Sequence, residues 1–465
     1  EPDAQTIPLY RILKSALQWL CARRVIRVQN SRDNRPNMLP DQVLSQLKAI
    51  VGPSHVRLES EDLQRFGVDR TALWQPNPCA VVLPSTVTMV QEIVRLANEC
   101  NVAIVPSGGR TGLSGGAVAK EGELIIALDR MNAVIDFNAI DRALTVGAGM
   151  ITAEVQAFAA SHDLLYPVDF AAAGSSQIGG NIATNAGGIN VIRYGMTRDW
   201  VIGLKVVTGN GDILDLNQGL VKNNTGYDFR HLFIGSEGTL GLICEATLQL
   251  TRPQADTTVM VLGIETFAAI VEVLQVFKTK IELTAFEFFS QIALDKVIKH
   301  QGHPTPFATQ APYYALVEFE TSPQVTSVAL ALFEQCAAQG WVLDGVVSQS
   351  LAQTRALWRL REDISETLWH WQPYKNDISV RVSKMPDFLA EVDQLVAARY
   401  PDFEIVWYGH IGDGNLHLNI LKPQDLTQPE FFERCGAVSL EIGELLARYD
   451  GSISAEHGVG LLKKS

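Results

Sequence analysis

The hydrophobic pattern of this 465-residue chain switches repeatedly between a period of two and a period of about 3.6 residues. Up to about residue 250, short apolar runs alternate with stretches whose apolar residues are three or four positions apart. These patterns predict strands at 80–83, 102–105, 124–127 and 141–146, and helices at 86–98 and 152–162. Strands and helices mixed in this way predict an α+β fold, and Thr251-Arg252-Pro253 marks a boundary.

A second mixed region follows this boundary. The patterns predict helices at 267–278, 325–339, 351–371 and 431–448, and a strand at 313–320. The basic segment 1–37 differs from the rest and is expected to be a disordered or non-native extension. Met38 opens what looks like a natural start, and Pro40 and Asp41 are typical of the first turn of a helix.

The most informative stretch is Tyr408-Gly-His-Ile-Gly-Asp-Gly-Asn-Leu-His-Leu-Asn419. We predict a hairpin with a two-residue turn at Asp413-Gly414, a dipeptide that tolerates positive φ angles. In that register His410 lies opposite His417, close enough for both imidazoles to bind one metal ion. A packed pair of histidines is an equally good interpretation of the hairpin alone.

A second polar cluster follows in Ala455-Glu-His-Gly458. Glu456 can supply a carboxylate ligand, which would complete a set of two histidines and one carboxylate with open coordination positions. Zn²⁺ suits these ligands, and Mn²⁺ or Fe²⁺ suits them as well. His457 is adjacent to this ligand and is the candidate general base.

Three glycine-rich stretches suggest a large anionic ligand. Residues 105–116 follow a predicted strand, and their backbone amides together with Ser107, Thr111 and Ser114 can form an anion nest suited to a pyrophosphate. Residues 174–188 are rich in small and amide side chains, which let the backbone approach a flat ligand, and residues 235–243 form a third glycine-rich stretch before a strand. The first stretch matches neither a Rossmann turn nor a P-loop. A flexible surface loop is the alternative for the first stretch alone.

These stretches and Tyr194-Gly195 resemble the FAD-binding domain of the vanillyl-alcohol-oxidase superfamily, also called the PCMH type. Within it, the chain resembles the D-2-hydroxyacid dehydrogenase branch from about Met38 to its last residue. The resemblance implies an α+β architecture: a two-subdomain PCMH-type FAD-binding domain at 38–253, an α+β substrate (cap) domain at 254–400, and a partly helical C-terminal segment at 401–465. FAD is expected to be noncovalent, because 106–116 contains no histidine or cysteine.

The cofactor-binding residues that the resemblance implies are spread over all of these stretches. They are Pro106, Ser107, Gly108, Gly109, Arg110, Thr111, Gly112, Ser114, Gly115, Gly116, Gly174, Ser175, Ile178, Gly179, Gly180, Asn181, Ala183, Thr184, Asn185, Gly188, Tyr194, Gly195, Glu237, Gly238 and Ile243.

The resemblance also assigns a group of side chains to the substrate. These are Arg361, Ser365, Lys375 and Asn419, with Ser365 standing where the family commonly has threonine. Arg361 can grip a carboxylate with two parallel hydrogen bonds, and Lys375 offers a second positive charge. On the sequence alone, charges along a helix more often mark a solvated face.

The expected reaction is the FAD-dependent oxidation of a D-2-hydroxy acid to the 2-oxo acid, with metal-assisted removal of the hydroxyl proton. D-2-hydroxyglutarate is the leading substrate because two cations suit a diacid, and D-lactate and glycolate are close alternatives. Two further alternatives are a metal-dependent hydrolase and a noncatalytic flavin-binding subunit. The second arises because family members usually continue to an Asn-Pro-Gly-Lys stretch, whereas this chain ends at Leu462-Lys-Lys-Ser465, which suggests a truncated closing segment.

Composition indicates which binding partners and which cellular compartment to expect. A net charge of −13 argues against nucleic acid as a partner, and six scattered cysteines favour reduced thiols in a cytoplasmic protein. No apolar run reaches the roughly 20 residues that span a bilayer, although peripheral attachment to the inner membrane is an option. A quinone or an electron-transfer flavoprotein is the expected electron acceptor, and a homodimer is a possible assembly.

Overall fold

The computed structural model describes residues 39–464, which form two compact units. Within the described residues, the first unit comprises 39–186, Met196–Pro253 and 457–464. The second comprises Gly187–Gly195 and Gln254–Glu456. The predicted extension at 1–37 lies outside the described residues. The chain passes from the first unit to the second between Pro253 and Gln254, next to the boundary motif noted in the sequence.

The first unit contains two sheets. The smaller has the strand order β1-β2-β4-β3, with β2, β4 and β3 parallel, and the larger is antiparallel with the order β5-β6-β9-β7-β8. The strands are β1 Val56–Arg57, β2 Ala80–Val82, β3 Ile104–Ser107, β4 Leu124–Ala127, β5 Val134–Asn138, β6 Ala143–Gly147, β7 Val201–Thr208, β8 Ile213–Leu216 and β9 Gly241–Gln249. The helices are Asp41–Val51, Ser60–Phe66, Val87–Glu99, Thr152–Ala160, Ile178–Thr184, Thr197–Trp200 and Arg230–Phe233, with a 3₁₀ turn at Pro53–His55.

The second unit is built on one seven-stranded antiparallel sheet, in the order β13-β10-β12-β11-β15-β16-β14. Its strands are β10 Thr257–Ile264, β11 Leu283–Ser290, β12 Tyr313–Glu320, β13 Val342–Val347, β14 Tyr374–Ser379, β15 Ile405–Gly409 and β16 Asn415–Ile420. Its helices are Val191–Tyr194, Phe267–Lys278, Gln291–Gln301, Pro323–Ala338, Leu351–Leu368, Met385–Arg399 and Gln428–Arg448, with 3₁₀ turns at Trp369–Trp371 and Val382–Lys384.

Helices cover both faces of this sheet, and the central strand β11 shows how. The side chains of Phe286 and Phe288 point into the hydrophobic cluster on one face, whereas those of Ala285 and Phe289 belong to the cluster on the other face. The second cluster also receives Leu357, Leu360 and Ile364 from the helix Leu351–Leu368. This helix therefore lies over the face to which Ala285 and Phe289 of β11 point.

The last part of the chain differs from the predicted division. Residues 401–456 do not form a separate segment, because β15 and β16 lie in the seven-stranded sheet between β11 and β14. Only 457–464, among the described residues after the sheet, belong to the first unit.

The predicted register of the histidine hairpin is wrong by two residues. Tyr408, rather than His410, lies opposite His417. The connecting loop is longer than a two-residue turn, because the amides of Asp413 and Asn415 both donate to the carbonyl oxygen of His410. A shift of two residues leaves every side chain on the same face of the sheet, so both histidines still point to one side.

A buried carboxylate joins this sheet to the helix Leu351–Leu368. Glu318 accepts hydrogen bonds from the Thr284 hydroxyl at 2.6 Å, the Trp358 indole at 2.8 Å and the Thr257 hydroxyl at 3.0 Å.

We predict that Glu318→Gln lowers the free energy of unfolding of the second unit by about 1–3 kcal/mol, because an amide replaces one acceptor with a donor. Urea unfolding followed by tryptophan fluorescence measures this loss. Glu320→Gln, at the less buried end of the same strand, is the control, and equal losses in both variants would contradict the prediction.

Candidate active site

One face of the seven-stranded sheet gathers the polar residues of the second unit. Along β16, His417 and Asn419 point away from the cluster that contains Leu416, Leu418 and Ile420. On the neighbouring strand β14, Asp377 lies opposite His417 and Lys375 opposite Asn419. On the other side of β16, Tyr408 is the neighbour of His417. These side chains therefore share the face that the helix Leu351–Leu368 covers.

All three predicted metal ligands come together on this face. His410, His417 and Glu456 each place one ligand atom within 4.8 Å of the others, and no second such group occurs in residues 39–464. The two imidazole rings are nearly perpendicular, with centroids 5.3 Å apart. The Nε2 atoms of His410 and His417 lie 3.7 and 4.0 Å from the same oxygen of Glu456.

Two buried carboxylates lie next to the Nδ1 atoms of the histidines, whereas Glu456 lies on the Nε2 side of both rings. Glu287, on β11, accepts a hydrogen bond from Nδ1 of His410 at 2.8 Å, and Asp377 lies 3.6 Å from Nδ1 of His417. Asp377 also accepts a hydrogen bond from the backbone amide of Glu456 at 2.9 Å. Carboxylates in this position are typical of metal-binding histidines, because they fix the tautomer that leaves Nε2 free as a ligand. The donor set and its support thus fit a divalent metal ion.

The electrostatics of the cluster favour a positive charge among the carboxylates. Burial alone would lower the pKa of His410, but the carboxylates of Glu287 and Glu456 outweigh burial and raise it. Burial raises the pKa of Glu456, and attraction to His410 offsets that effect only in part.

Three of the four predicted substrate residues, Arg361, Ser365 and Asn419, contact Tyr408. The guanidinium carbon of Arg361 lies 4.7 Å from the ring centroid, and Lys375 is 3.2 Å from the hydroxyl oxygen of Ser365. Asn419 is fully buried, and its Oδ1 atom has no hydrogen-bond partner among the described residues. The structure therefore brings all four predicted substrate residues to one side of the sheet.

Arg361 and Glu287 form a buried ion pair. Nη2 of Arg361 lies 2.7 Å from Oε2 of Glu287, and both side chains are almost fully buried. Nε of the same guanidinium has no hydrogen-bond acceptor among the described residues. A buried guanidinium with an unused donor suits an incoming carboxylate.

In the first unit, the structure brings the three glycine-rich stretches together. A Cβ atom on Gly109 would lie 2.2 Å from the carbonyl oxygen of Ser175, and one on Gly238 would lie 2.9 Å from the ring of Pro106. The amide of Glu237 donates to the carbonyl oxygen of Ala183 at 2.8 Å. Such close approaches require glycine at both positions.

This region also offers unused polar atoms. The buried atoms Oε1 of Gln177 and Oγ of Ser236 have no hydrogen-bond partner among the described residues. Cβ atoms built on Gly174 and Gly180 would meet no atom within 4 Å. Open space beside glycines together with unpaired polar atoms fits a cofactor that lies against the backbone.

Some predicted cofactor residues make other contacts. Arg110 pairs with Asp129 at 3.1 Å and stacks on the ring of Phe66, and Ser114 and Glu237 contact residues 457–462. Gly188, Tyr194 and Gly195 belong to the second unit.

Comparisons with known proteins identify the family. Residues 78–217 match a family described as an FAD binding domain, and residues 253–465 match the C-terminal domain of FAD linked oxidases. The D-2-hydroxyglutarate dehydrogenase of Stutzerimonas stutzeri is 56% identical, with 92% of each chain covered. The one from Xanthomonas citri is 55% identical, over 92% of this chain and 90% of the relative. The chain belongs to the D-2-hydroxyglutarate dehydrogenase family of FAD-linked oxidases.

Membership of this family makes the chain an FAD-dependent oxidoreductase, and these relatives lend no support to a hydrolase or a noncatalytic subunit. A mitochondrial D-2-hydroxyglutarate dehydrogenase of Danio rerio is 35% identical, over 91% of this chain and 78% of the relative.

Among residues 39–464, no helix combines the length and apolar character needed to cross a bilayer.

Solved structures confirm the predicted α+β fold of the PCMH type. An alkyldihydroxyacetonephosphate synthase superposes with a TM-score of 0.71 at 18% identity, over 92% of this chain and 84% of that one. A p-cresol methylhydroxylase gives 0.70 at 17% identity, over 90% and 89%. At such identities the likeness concerns the fold alone.

Several residues of the site in this D-2-hydroxyglutarate dehydrogenase family member were not predicted from the sequence. Glu287 and Asp377 lie on two strands, Leu283–Ser290 and Tyr374–Ser379, that the sequence patterns did not predict, and no local pattern marks these two residues. Gln177 and Ser236 do lie inside the glycine-rich stretches, so a search of those stretches for polar side chains would have included them.

The buried pair of Arg361 and Glu287 leads to a stability prediction. Arg361→Met removes one of the two partners, Arg361 and His410, that compensate the buried charge of Glu287, so we expect the free energy of unfolding to fall by about 3–5 kcal/mol. Adding Glu287→Gln removes the remaining charge and should restore most of this loss, while the amide oxygen can still accept from His410. Urea unfolding of the wild type, both single variants and the double variant measures the coupling. Additive losses would show that the two charges do not depend on each other.

Proposed function

We propose that this protein oxidises D-2-hydroxyglutarate to 2-oxoglutarate with FAD as the hydride acceptor. The observation that carries the proposal is the single sheet face that holds a three-ligand cluster next to two cations, Arg361 and Lys375. A 2-hydroxy diacid has one hydroxyl for the cluster and two carboxylates for the cations. The names of the relatives support the same substrate.

We propose that His410, His417 and Glu456 hold a divalent metal ion, with zinc favoured. The two Nε2 atoms and the shared carboxylate oxygen are the donor types that zinc prefers, and both supporting carboxylates favour this tautomer. A metal ion held by this set would lower the pKa of a substrate hydroxyl.

We propose that Arg361 and Lys375 bind the substrate carboxylates. Arg361 is held in place by the ring of Tyr408 and by Glu287, so little side-chain freedom is lost when a carboxylate arrives. Lys375 is held by Ser365 and lies 4.5 Å from the ring centroid of Trp369. Asn419 would contribute its unpaired amide oxygen to the substrate. D-lactate, with one carboxylate, would leave one of the two cations unused.

We propose that His457 removes the hydroxyl proton of the substrate. His457 follows Glu456 directly in the chain, so the peptide bond keeps it close to any group that Glu456 binds. As the proton goes to His457, the C–H bond of the substrate breaks and the carbon–oxygen double bond forms. FAD, held noncovalently by the glycine-rich stretches, would accept the hydride at N5. A quinone or an electron-transfer flavoprotein would then take up the electrons.

Anaerobic reduction of the bound flavin tests the proposed function. We expect D-2-hydroxyglutarate to bleach the flavin absorbance at about 450 nm. Its apparent second-order rate constant of flavin reduction should be about 10- to 100-fold above that for D-lactate, because a second charge-assisted hydrogen bond contributes roughly 1.5–3 kcal/mol. D-malate and glycolate complete the series. A preparation without flavin bands, or one that no 2-hydroxy acid bleaches, would contradict the proposal.

Metal removal tests the ligand cluster in the same assay. Dialysis against a chelator should slow bleaching by at least about 100-fold while FAD stays bound, and added Zn²⁺ should restore it. Metal analysis before and after dialysis is the control. Unchanged bleaching in protein shown to be free of metal would rule out the proposed role of the metal.

A substitution tests the proposed base. His457→Asn should lower the rate constant of flavin reduction by about 100-fold or more, because general bases contribute about 10²–10⁴-fold. Metal content, FAD content and KM should stay close to the wild type, since the metal ligands and the two cations are unchanged. Stopped-flow absorbance gives the rate constant, and a variant that reduces flavin at the wild-type rate would exclude His457 as the base.

A further inference from the structure

A network of hydrogen bonds in the first unit holds the segment that follows Glu456. The hydroxyl of Ser114 lies 2.5 Å from the carbonyl oxygen of His457 and 3.0 Å from that of Gly458, and it can donate its one proton to either. The carbonyl oxygen of Ser114 accepts hydrogen bonds from the amides of Leu461 at 2.8 Å and Leu462 at 3.0 Å. Ser114 thus holds both ends of residues 457–462.

Glu237 holds the middle of the same segment. Its Oε1 accepts a hydrogen bond from the amide of Val459 and its Oε2 one from the amide of Gly460, both at 2.8 Å. Each oxygen therefore has its own donor, and charge-assisted hydrogen bonds of this kind are stronger than neutral ones. Glu237 adopts a φ of 50°, which non-glycine residues rarely do, so the surrounding contacts must stabilise this conformation.

The segment itself is shaped for this contact. Gly458 and Gly460 have φ angles of 75° and 49°. A Cβ atom on Gly460 would lie 2.2 Å from the carbonyl oxygen of Ser114, and one on Gly458 would lie 2.9 Å from the carboxylate carbon of Glu237. Glycine is required at both positions for the backbone to come this close to Ser114 and Glu237.

We propose that Ser114 and Glu237 are positioning residues for His457. They attach residues 457–462 to two of the glycine-rich stretches that would bind FAD, so that cofactor binding and the placement of His457 are coupled. Ser114 lies in the first stretch, and Glu237 lies in the third, where Gly238 packs against Pro106. A flavin that orders these stretches would also order the segment that carries the base. This inference rests on the proposed role of His457 in the reaction.

Glu237→Gln is the sharpest test, because it changes one acceptor of Glu237 into a donor. Glutamine can accept from one of the two amides, but its NH₂ group then faces the other N–H. Ser114→Ala removes the hydroxyl contact with the carbonyl oxygens of His457 and Gly458. Asp344→Asn is the matched control: in the second unit, Oδ2 of Asp344 also accepts from two successive amides, those of Ala308 and Thr309, at 2.9 Å each.

Hydrogen exchange, FAD content and flavin reduction are measured on the FAD-loaded wild type and the three variants. We expect exchange at the amides of 459–462 to rise at least about tenfold in Glu237→Gln and to rise in Ser114→Ala. The rate constant of flavin reduction should fall about tenfold with KM within about twofold, since no substrate-binding side chain changes. Asp344→Asn should match the wild type in both measurements. Wild-type protein without FAD should also exchange faster at 459–462.

Three results would overturn the inference. In the first, the amides of 459–462 in Glu237→Gln exchange as slowly as in the wild type. In the second, these amides exchange faster in Glu237→Gln but the rate constant of flavin reduction does not change. In the third, the wild-type amides of 459–462 exchange at the same rate with and without FAD. Failure of the proposed function is recognised separately, because the wild type would then show no flavin reduction by any 2-hydroxy acid. The exchange of 459–462 would still report whether Ser114 and Glu237 hold the segment.

Discussion

The buried carboxylate of Glu287 is the constraint on which the site in the second unit depends. It lies in a strand with apolar neighbours on both sides, and its charge is tolerated there because His410 and Arg361 both contact it. One of these partners belongs to the ligand cluster and the other to the proposed carboxylate site. The ligand cluster and the proposed carboxylate site therefore both depend on the charge of Glu287, so a substitution in one of them affects the other.

The pleat of the antiparallel sheet explains how distant residues meet. Residues on β11, β14, β15 and β16 reach the same face because each strand alternates its side chains with a period of two. The helix Leu351–Leu368 closes this face and brings Arg361 and Ser365 to it. Hydrophobic packing of the other residues of these strands thus holds the polar ones in place.

Local patterns were sufficient to predict many elements. Three of them, Leu124–Ala127, Phe267–Lys278 and Tyr313–Glu320, begin and end where predicted, because their apolar periods are clear and continuous. The helix expected at 351–371 ends instead at Leu368 and continues as a 3₁₀ turn. The hairpin register was missed by two residues, because the choice between a two-residue turn and a longer loop depends on which carbonyl accepts the amides of Asp413 and Asn415.

The sequence by itself determined the types of residue available for chemistry: two histidines near one turn, a Glu-His pair, and three glycine-rich stretches whose motifs resemble one family. Short-range spacing carries that information because ligands and flexible backbone leave local signatures. Only the tertiary structure decided which carboxylates support the histidines, that Arg361 is paired with Glu287, and that Ser114 and Glu237 hold residues 457–462. These contacts join residues that are far apart in the chain: 123 positions separate His410 from Glu287, 222 separate Val459 from Glu237, and 343 separate Ser114 from His457. No local pattern encodes such a pairing.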